Sequence, residues 1–291
     1  MEKYKIGFVI LHYLTIDETI ECVNSIEKLI DTKNYEIVIV DNNSYNNTGQ
    51  QLQTKYQNNP KINIILNKKN LGFSGGNNLG FSYAKKKLKC DFICVINNDT
   101  YLLENNFFQI ILEEYQKSHF AVMGPEIHVP EGNIENITKN LISKKDLKKQ
   151  LNKTRIQLIK NYLYLNTIES YIKNKAKKIL KHESKRFVNI KEGRLENVVL
   201  HGCFWVFSPV YVKKFDGLNN KTFLYKEEEL LFLRLKQNNM LSVYNPKLKI
   251  FHNKNSSLNK SSKNNHSRLN IVYKNNIKAC KALLEEMEMV L

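Results

Sequence analysis

The chain has 291 residues, 42% of them hydrophobic, and a net charge of +17. That length suits one large domain or a domain with an extension. It contains no apolar run of the roughly 18 residues that a membrane-spanning helix needs, and the opening MEKYKIGFVILHY has too short an apolar run for a secretory leader and no small-residue cleavage site.

The five cysteines are odd in number and scattered, which fits free thiols of a reducing, cytoplasmic compartment better than a disulfide framework. Cys90 and Cys94 read as buried thiols on one strand face rather than half of a zinc site. The charge is uneven. Lys139 to Lys191 holds 16 Lys and Arg against Asp146, Glu169 and Glu183, a local +13, which leaves +4 for the rest. A near-neutral body with one basic segment is expected, not a uniformly basic protein.

Residues 5–12, KIGFVILH, are β-rich and almost continuously apolar, the pattern of a strand buried on both faces. Thr15 or Asp17 can cap a following helix on which Ile20, Val23, Ile26 and Ile30 share a face. YEIVIVD is a second buried strand, ending on Asp41. The loop NNSYNNTGQ leads to a helix near 50–58, and Ile62–Leu66 is a third strand. The loop NKKNLGFSGG precedes a helix near 76–87, and Phe92–Ile96 is a fourth strand that stops at Asn97. From about Glu135 to Arg186 glycine vanishes and lysine is dense. There Leu147, Leu151, Leu158, Tyr162, Leu165, Ile172 and Ile179 recur at helical spacing, which predicts one or two amphipathic helices. Strand character returns over Val198–Phe207, broken at Gly202. A helix follows over 225–238, then strands near 241–244 and 248–252, a polar loop over 253–265, and a last helix over 267–289.

Strands alternating with helices, each apolar strand ending in a polar cluster, predict an α/β fold: a mostly parallel sheet flanked by helices, with a basic helical insertion. In such sheets ligands bind beyond the carboxyl ends of the strands. The clusters His12-Tyr13, Asp41-Asn42-Asn43-Ser44, Asn70-Leu71-Gly72 and Asn97-Asn98-Asp99 all sit at those ends and should converge on one rim. Asp99, just past a buried strand, suits a divalent metal that bridges phosphate oxygens and is held by few carboxylates; a turn or cap role is the plainer alternative. Asn97 and Asn98 can add a carbonyl ligand or bond a ribose. Asp41 can accept the imide N–H of uracil or thymine, or form an Asx turn. The glycines of Asn70–Asn78 permit close backbone approach to a sugar or phosphate. That stretch is neither a Walker loop nor a dinucleotide fingerprint.

Together Val40–Ser44, Asn70–Asn78 and Asn97–Asp99 resemble the family 2 glycosyltransferases of the GT-A fold, especially bacterial enzymes of capsule, O-antigen and rhamnan assembly. The resemblance covers residues 5–130 and resumes at His201–Pro209, Thr222–Glu229 and His252–Ser257. It implies an inverting transfer of a hexose or deoxyhexose from a UDP-, dTDP- or GDP-linked donor, with Mg2+ or Mn2+, to a saccharide or undecaprenyl-linked acceptor. It implies Glu228 as the base that takes the acceptor hydroxyl proton, with Glu227 the runner-up; a solvated acidic helix start is the bland alternative. His252, with Ser256 nearby, is implied as a metal or diphosphate contact beside Asp99. Tyr13, Asp41, Asn43, Asn70, Gly72, Asn77, Asn78, Asn97 and Asn98 are the expected donor contacts. On the acceptor side, Gly202 can leave room, while Trp205 is a stacking platform or, more simply, a core side chain. Two departures stand out: three glutamates replace the usual Glu-Asp, and Asn97 replaces the first aspartate of Asp-x-Asp.

The expected division is a donor-binding core (1–134), the basic insertion (135–191), an acceptor and catalytic half (192–262) and a closing helix (263–291). The insertion is expected to pack on the body and touch an anionic membrane surface, making the protein peripheral on the inner face of the cell membrane. No reading module accompanies the charge, which argues against nucleic acid. The competing function is a nucleotide-sugar-binding or scaffolding protein without catalysis.

Overall fold

The computed structural model describes residues 4–135, 140–165, 193–254 and 265–290. Among them ten strands form one sheet: β1 (Ile6–His12), β2 (Tyr35–Asp41), β3 (Ile62–Leu66), β4 (Phe92–Asn97), β5 (Thr100–Leu102), β6 (Val122–His128), β7 (Ile134–Glu135), β8 (Leu195–Glu196), β9 (Phe204–Phe207) and β10 (Ser242–His252). The order is β3-β2-β1-β4-β9-β6-β10-β5, with β7 added on β6 and β8 on β10. The helices are α1 (Ile16–Leu29), α2 (Thr48–Tyr56), α3 (Gly72–Lys86), α4 (Phe107–Ser118), α5 (Lys144–Tyr162), α6 (Pro209–Lys214), α7 (Glu227–Gln237) and α8 (Asn265–Val290).

The sheet has two characters. β3, β2, β1 and β4 are parallel and in register, so that His12 lies opposite Asp41, Asp41 opposite Leu66, and Leu11 opposite Asn97. β9 then runs antiparallel to both β4 and β6, while β6 and β10 are parallel. The continuous apolar runs of the first strands have the reason their pattern implied. Phe8 and Ile10 enter one core while Val9 enters the other, so helices cover both faces. Cys90 and Cys94 are both buried and free, but they fall into different cores rather than on one face, because Cys90 precedes β4.

Three departures from the sequence expectation are informative. Helix α3 begins at Gly72, so Gly75 and Gly76 belong to its first turns and not to a loop. Gly72 has φ +73, and a Cβ there would collide with the Phe223 carbonyl. Only glycine permits that backbone and that approach. The two strands expected over 241–252 are one strand, β10, whose pairing with β6 shifts between Asn245 and Lys249, where Pro246 removes a ladder donor. Finally β5, α4 and β6 fill a stretch for which no element was named, although Phe107, Phe108, Ile110 and Ile111 give α4 a clear buried face.

Helix α5, the described part of the basic segment, lies against the body. Leu147 and Leu151 join Leu230 and Leu233 of α7 and Cys280, Leu283 and Met287 of α8 in a third core. Asn161 donates to the His266 carbonyl and to Asn270, and Tyr164 stacks on His266 at 4.3 Å. Ile172 and Ile179 lie outside the described residues.

Candidate active site

The parallel register brings the polar ends of β1, β2 and β4 to one rim, with the start of α3 beside them. Most of those side chains are engaged by protein partners. His12 is fully buried, its Nδ1 2.7 Å from Thr19 Oγ1 and its Nε2 2.8 Å from Thr48 Oγ1, and burial pushes its pKa down to about 4. Asn42 clamps the start of α3: its Oδ1 accepts from Leu71 N–H, and its Nδ2 donates to Asn70 and to the Gly72 carbonyl. Asn70 Oδ1 also accepts from Gly72 N–H at 2.9 Å. Asp41 forms the Asx turn, both oxygens facing Ser44 N–H, with 4% of the residue exposed. Asn43, in left-handed backbone at φ 66, is exposed beside it, and Tyr13 is partly exposed.

Two expected donor contacts are otherwise occupied. Asn78 donates to the Leu218 carbonyl (3.0 Å) and accepts Leu218 N–H (2.6 Å), so its amide ties α3 to the loop after α6 and is not open to a ligand. Asn98 spends its Nδ2 on Thr15 and Thr19 of the β1–α1 segment, leaving at most its carbonyl. Asn77 donates to the Phe73 carbonyl, and its Oδ1 is buried without a partner.

Asp99 and His252 meet because β5 pairs antiparallel with β10, placing Thr100 opposite His252. Asp99 is 6% exposed, and its Oδ1 is 3.5 Å from His252 Nε2. On the other side His252 Nδ1 is 3.4 Å from Glu135 Oε2, which also lies 3.6 Å from His201 Nε2, while Lys254 reaches the second Glu135 oxygen at 3.1 Å. Burial opposes a charge on His252, but the carboxylates of Asp99 and Glu135 outweigh it and raise the imidazole to about 9. Glu135 also feels burial, and His252, His201 and Lys254 overcome it, holding the carboxyl at about 2. Asp99 is therefore matched to positive charge. Among the described residues no group of three or more His, Cys, Asp or Glu is arranged around a metal. Asp99 could hold a divalent ion as it stands, and His252 could join it once its imidazole gave up a proton, a small donor set that would leave room for a ligand's phosphate. Ser256 lies outside the described residues.

Next to this cluster is a cavity of about 370 Å³. Asn97 and Phe73 line it from the β4 and α3 ends, and Glu227, Glu228 and Glu229 from the first turn of α7. Two successive left-handed residues, Tyr225 (φ 77) and Lys226 (φ 68), bend the chain into that turn. Such strained backbone gathers at sites where geometry is enforced. Glu228 Oε1 accepts the Gly202 N–H at 3.0 Å. Burial raises the Glu228 pKa, and His201 opposes the rise. Glu227 is 9% exposed with Oε1 unpartnered, and burial lifts it to about 7. The missing side chain of Gly202 serves Glu228: a Cβ there would stand 3.2 Å from Glu228 Oε1. Trp205 is fully buried, its ring in the core and its Nε1 donating to the Leu200 carbonyl, so the core reading stands and the stacking platform falls.

The sequence reading missed Glu135, His201 and the cavity-lining Gln150 and Asn276. His201 was legible as the residue before Gly202, but a lone Glu on a two-residue strand carries no signal of its own.

The family model described as Glycosyl transferase family 2 matches residues 8–214. The chain belongs to glycosyl transferase family 2. Its sheet and flanking helices are those of the GT-A members. It is similar in structure to S. aureus TarS 1–349, alone and in complex with UDP, at 14% identity and TM-score 0.54 over 98% of this chain and 70% of that one. It is similar to GalNAc-T7 with UDP, GalNAc and Mn2+ at 11% identity and TM-score 0.55, over 87% of this chain and 44% of that one. Against the longer S. aureus TarS the chain spans 36% of that length, at 14% identity and TM-score 0.53. At these identities the likeness is one of fold. No curated protein matches the chain in sequence. Among the described residues no helix of this family 2 glycosyltransferase is long and apolar enough to cross a membrane.

Proposed function

We propose that this glycosyltransferase moves a hexose or deoxyhexose, with inversion, from a nucleoside-diphosphate donor to a saccharide or undecaprenyl-linked acceptor in surface polysaccharide synthesis such as capsule or O-antigen. The observation that carries the reading is one juxtaposition. Asn97 and Glu228 line one cavity, while Asp99, two residues beyond Asn97, pairs with His252. The candidate for base thus lines the cavity, and the candidate for metal follows two residues after Asn97 in its wall. UDP in the TarS complex, and UDP with Mn2+ in GalNAc-T7, support a nucleotide donor and a divalent ion.

Each residue then has a task. The free lone pairs of Asp41 accept the imide N–H of the base, with Tyr13 and Asn43 beside it on the rim. The Asn70–Gly72 turn, rigidified by Asn42, presents backbone to the sugar or diphosphate. Asp99 and, after loss of its proton, His252 would hold Mg2+ or Mn2+, which when bound would offset the charge of the departing diphosphate. Glu228 takes the acceptor hydroxyl proton. Its carboxylate is held by Gly202 N–H, and burial makes it a stronger base than a solvated one. Its opening into the cavity favours catalysis over a binding-only protein. On this reading residues 1–134 are the donor core, 135–191 the insertion, 192–262 the catalytic half and 263–291 the closing helix. Exposed Ile156, Ile159 and Leu163 on or next to basic α5 support contact with an anionic membrane from the cytoplasmic side.

A thermal-shift panel of UDP-, dTDP- and GDP-sugars with Mn2+ or Mg2+ tests the donor. One nucleotide class should raise the melting temperature only with metal present. No shift with any of them would remove the donor assignment. Glu228→Gln should bind that donor and fail to transfer; full activity would remove Glu228 from the mechanism.

A further inference from the structure

Resting on the glycosyltransferase reading, we propose that Gln150 of α5 and Asn276 of α8 determine acceptor specificity, reading the hydroxyls of an uncharged sugar ring. Both residues line the same cavity as Glu228, although they are 126 residues apart and neither lies on the sheet. Asn276 also lies beyond the span matched by the family model, residues 8–214.

Their positions follow from the third core. Gln150 sits between Leu147 and Leu151, the two α5 residues buried against α7 and α8, and Asn276 lies one turn before Cys280 on α8. The apolar register that joins the three helices therefore fixes where the two carboxamides face. Among the described residues the Gln150 carboxamide has no hydrogen-bond partner. Asn276 donates one weak bond, 3.3 Å, to the Val272 carbonyl of its own helix, and no described residue engages its oxygen. These are donors and acceptors left open inside a cavity, and a carboxamide that donates and accepts at once matches neighbouring hydroxyls. The charges nearby cancel: Lys226 and Glu229, which also line the cavity, pair with each other at 2.6 Å. What remains are the carboxyl groups of Glu227 and Glu228, with His201 beside Glu228, so a uronate would face two acidic groups and a neutral ring would not. Sugar recognition elsewhere on the rim is constrained by protein–protein hydrogen bonds; here it is not.

The test uses the full chain, the nucleotide sugar found in the thermal-shift panel, and p-nitrophenyl glycosides of glucose, galactose, rhamnose, N-acetylglucosamine and glucuronic acid as acceptor probes. Gln150→Leu and Asn276→Leu should each raise the KM of the accepted neutral glycoside by roughly tenfold, while the donor KM moves less than about twofold. Lys153→Ala, an exposed change on the same helix, should leave acceptor KM unchanged. Melting temperature checks that each variant folds. Unchanged acceptor KM in both Leu variants overturns the inference, as does transfer to the glucuronide as efficient as to the neutral glycosides, or transfer to no neutral glycoside while donor binds. If no nucleotide sugar binds wild type, the glycosyltransferase reading itself has failed, which is a separate outcome.

Discussion

The strand-end rim and the α7 side of the neighbouring cavity treat their polar groups in different ways. On the β1–β4 side many rim side chains are committed: His12 to two threonines, Asn42 and Asn70 to the start of α3, Asn78 to Leu218, Asn98 to the β1–α1 segment, with Asn77 Oδ1 an unpartnered exception. On the α7 side polar groups are left short of partners. Glu227 has an unpartnered buried oxygen, burial raises the Glu228 pKa, and Gln150 is open. A fully bonded network is rigid and keeps a backbone cradle in shape. Buried groups that lack partners cost stability, and their free energy is recovered only by a ligand or a proton. On the proposed function the first side would hold the donor and the second would carry out the reaction.

Substitutions can break or sharpen that contrast. The largest effect belongs to Glu228→Gln, which should lower kcat on the order of a thousandfold with donor KM little changed, measured as transfer of labelled sugar. Asp99→Asn should weaken Mn2+ binding on the order of a hundredfold, read by titrating free Mn2+ in the presence of nucleotide, and activity should fall with it.

A smaller, pH-dependent effect is expected at Glu227. Its folded pKa of about 7 exceeds the ordinary 4.5, so the folded state keeps a proton that the unfolded chain releases. Stability from this group is full below about pH 4.5 and declines until about pH 7, beyond which the whole penalty is present. Glu227→Gln should therefore gain on the order of 3 kcal/mol relative to wild type between pH 4.5 and pH 8, in urea melts at the two pH values. A difference independent of pH would mean that Glu227 does not hold that proton. Asn78→Ala should be the mildest, losing about 1–2 kcal/mol of stability from its two bonds to Leu218 while nucleotide affinity is unchanged. The reverse pattern, weaker nucleotide binding at unchanged melting temperature, would move Asn78 from the framework to the ligand.

The parallel half of the fold was readable because each of its strands is a contiguous apolar run ended by a polar cluster, a pattern that needs no knowledge of partners. Asp41, Asn70 and Asp99 were placed at or near the strand ends for that reason. Errors fell where one residue type has two uses. Asn78 looks like a ligand contact in an Asn-rich loop, and only its neighbour across the fold, Leu218, makes it a clamp. Trp205 was no such error, since a core side chain was the simpler reading and its ring is fully buried. Gly202 does line the cavity, and its N–H also binds Glu228.

The sequence by itself determined the α/β class, the strand ends that form the rim, and the residue types able to hold a base, a diphosphate and a metal, because these depend on local period and local chemistry. The tertiary structure alone decided which of them meet. Antiparallel pairing of β5 with β10 brings Asp99 to His252, and an edge strand brings Glu135 behind it. The core shared by α5, α7 and α8 carries Gln150 and Asn276 to Glu228. Such contacts join residues far apart in the chain, and they are fixed by packing and register, which no local pattern encodes.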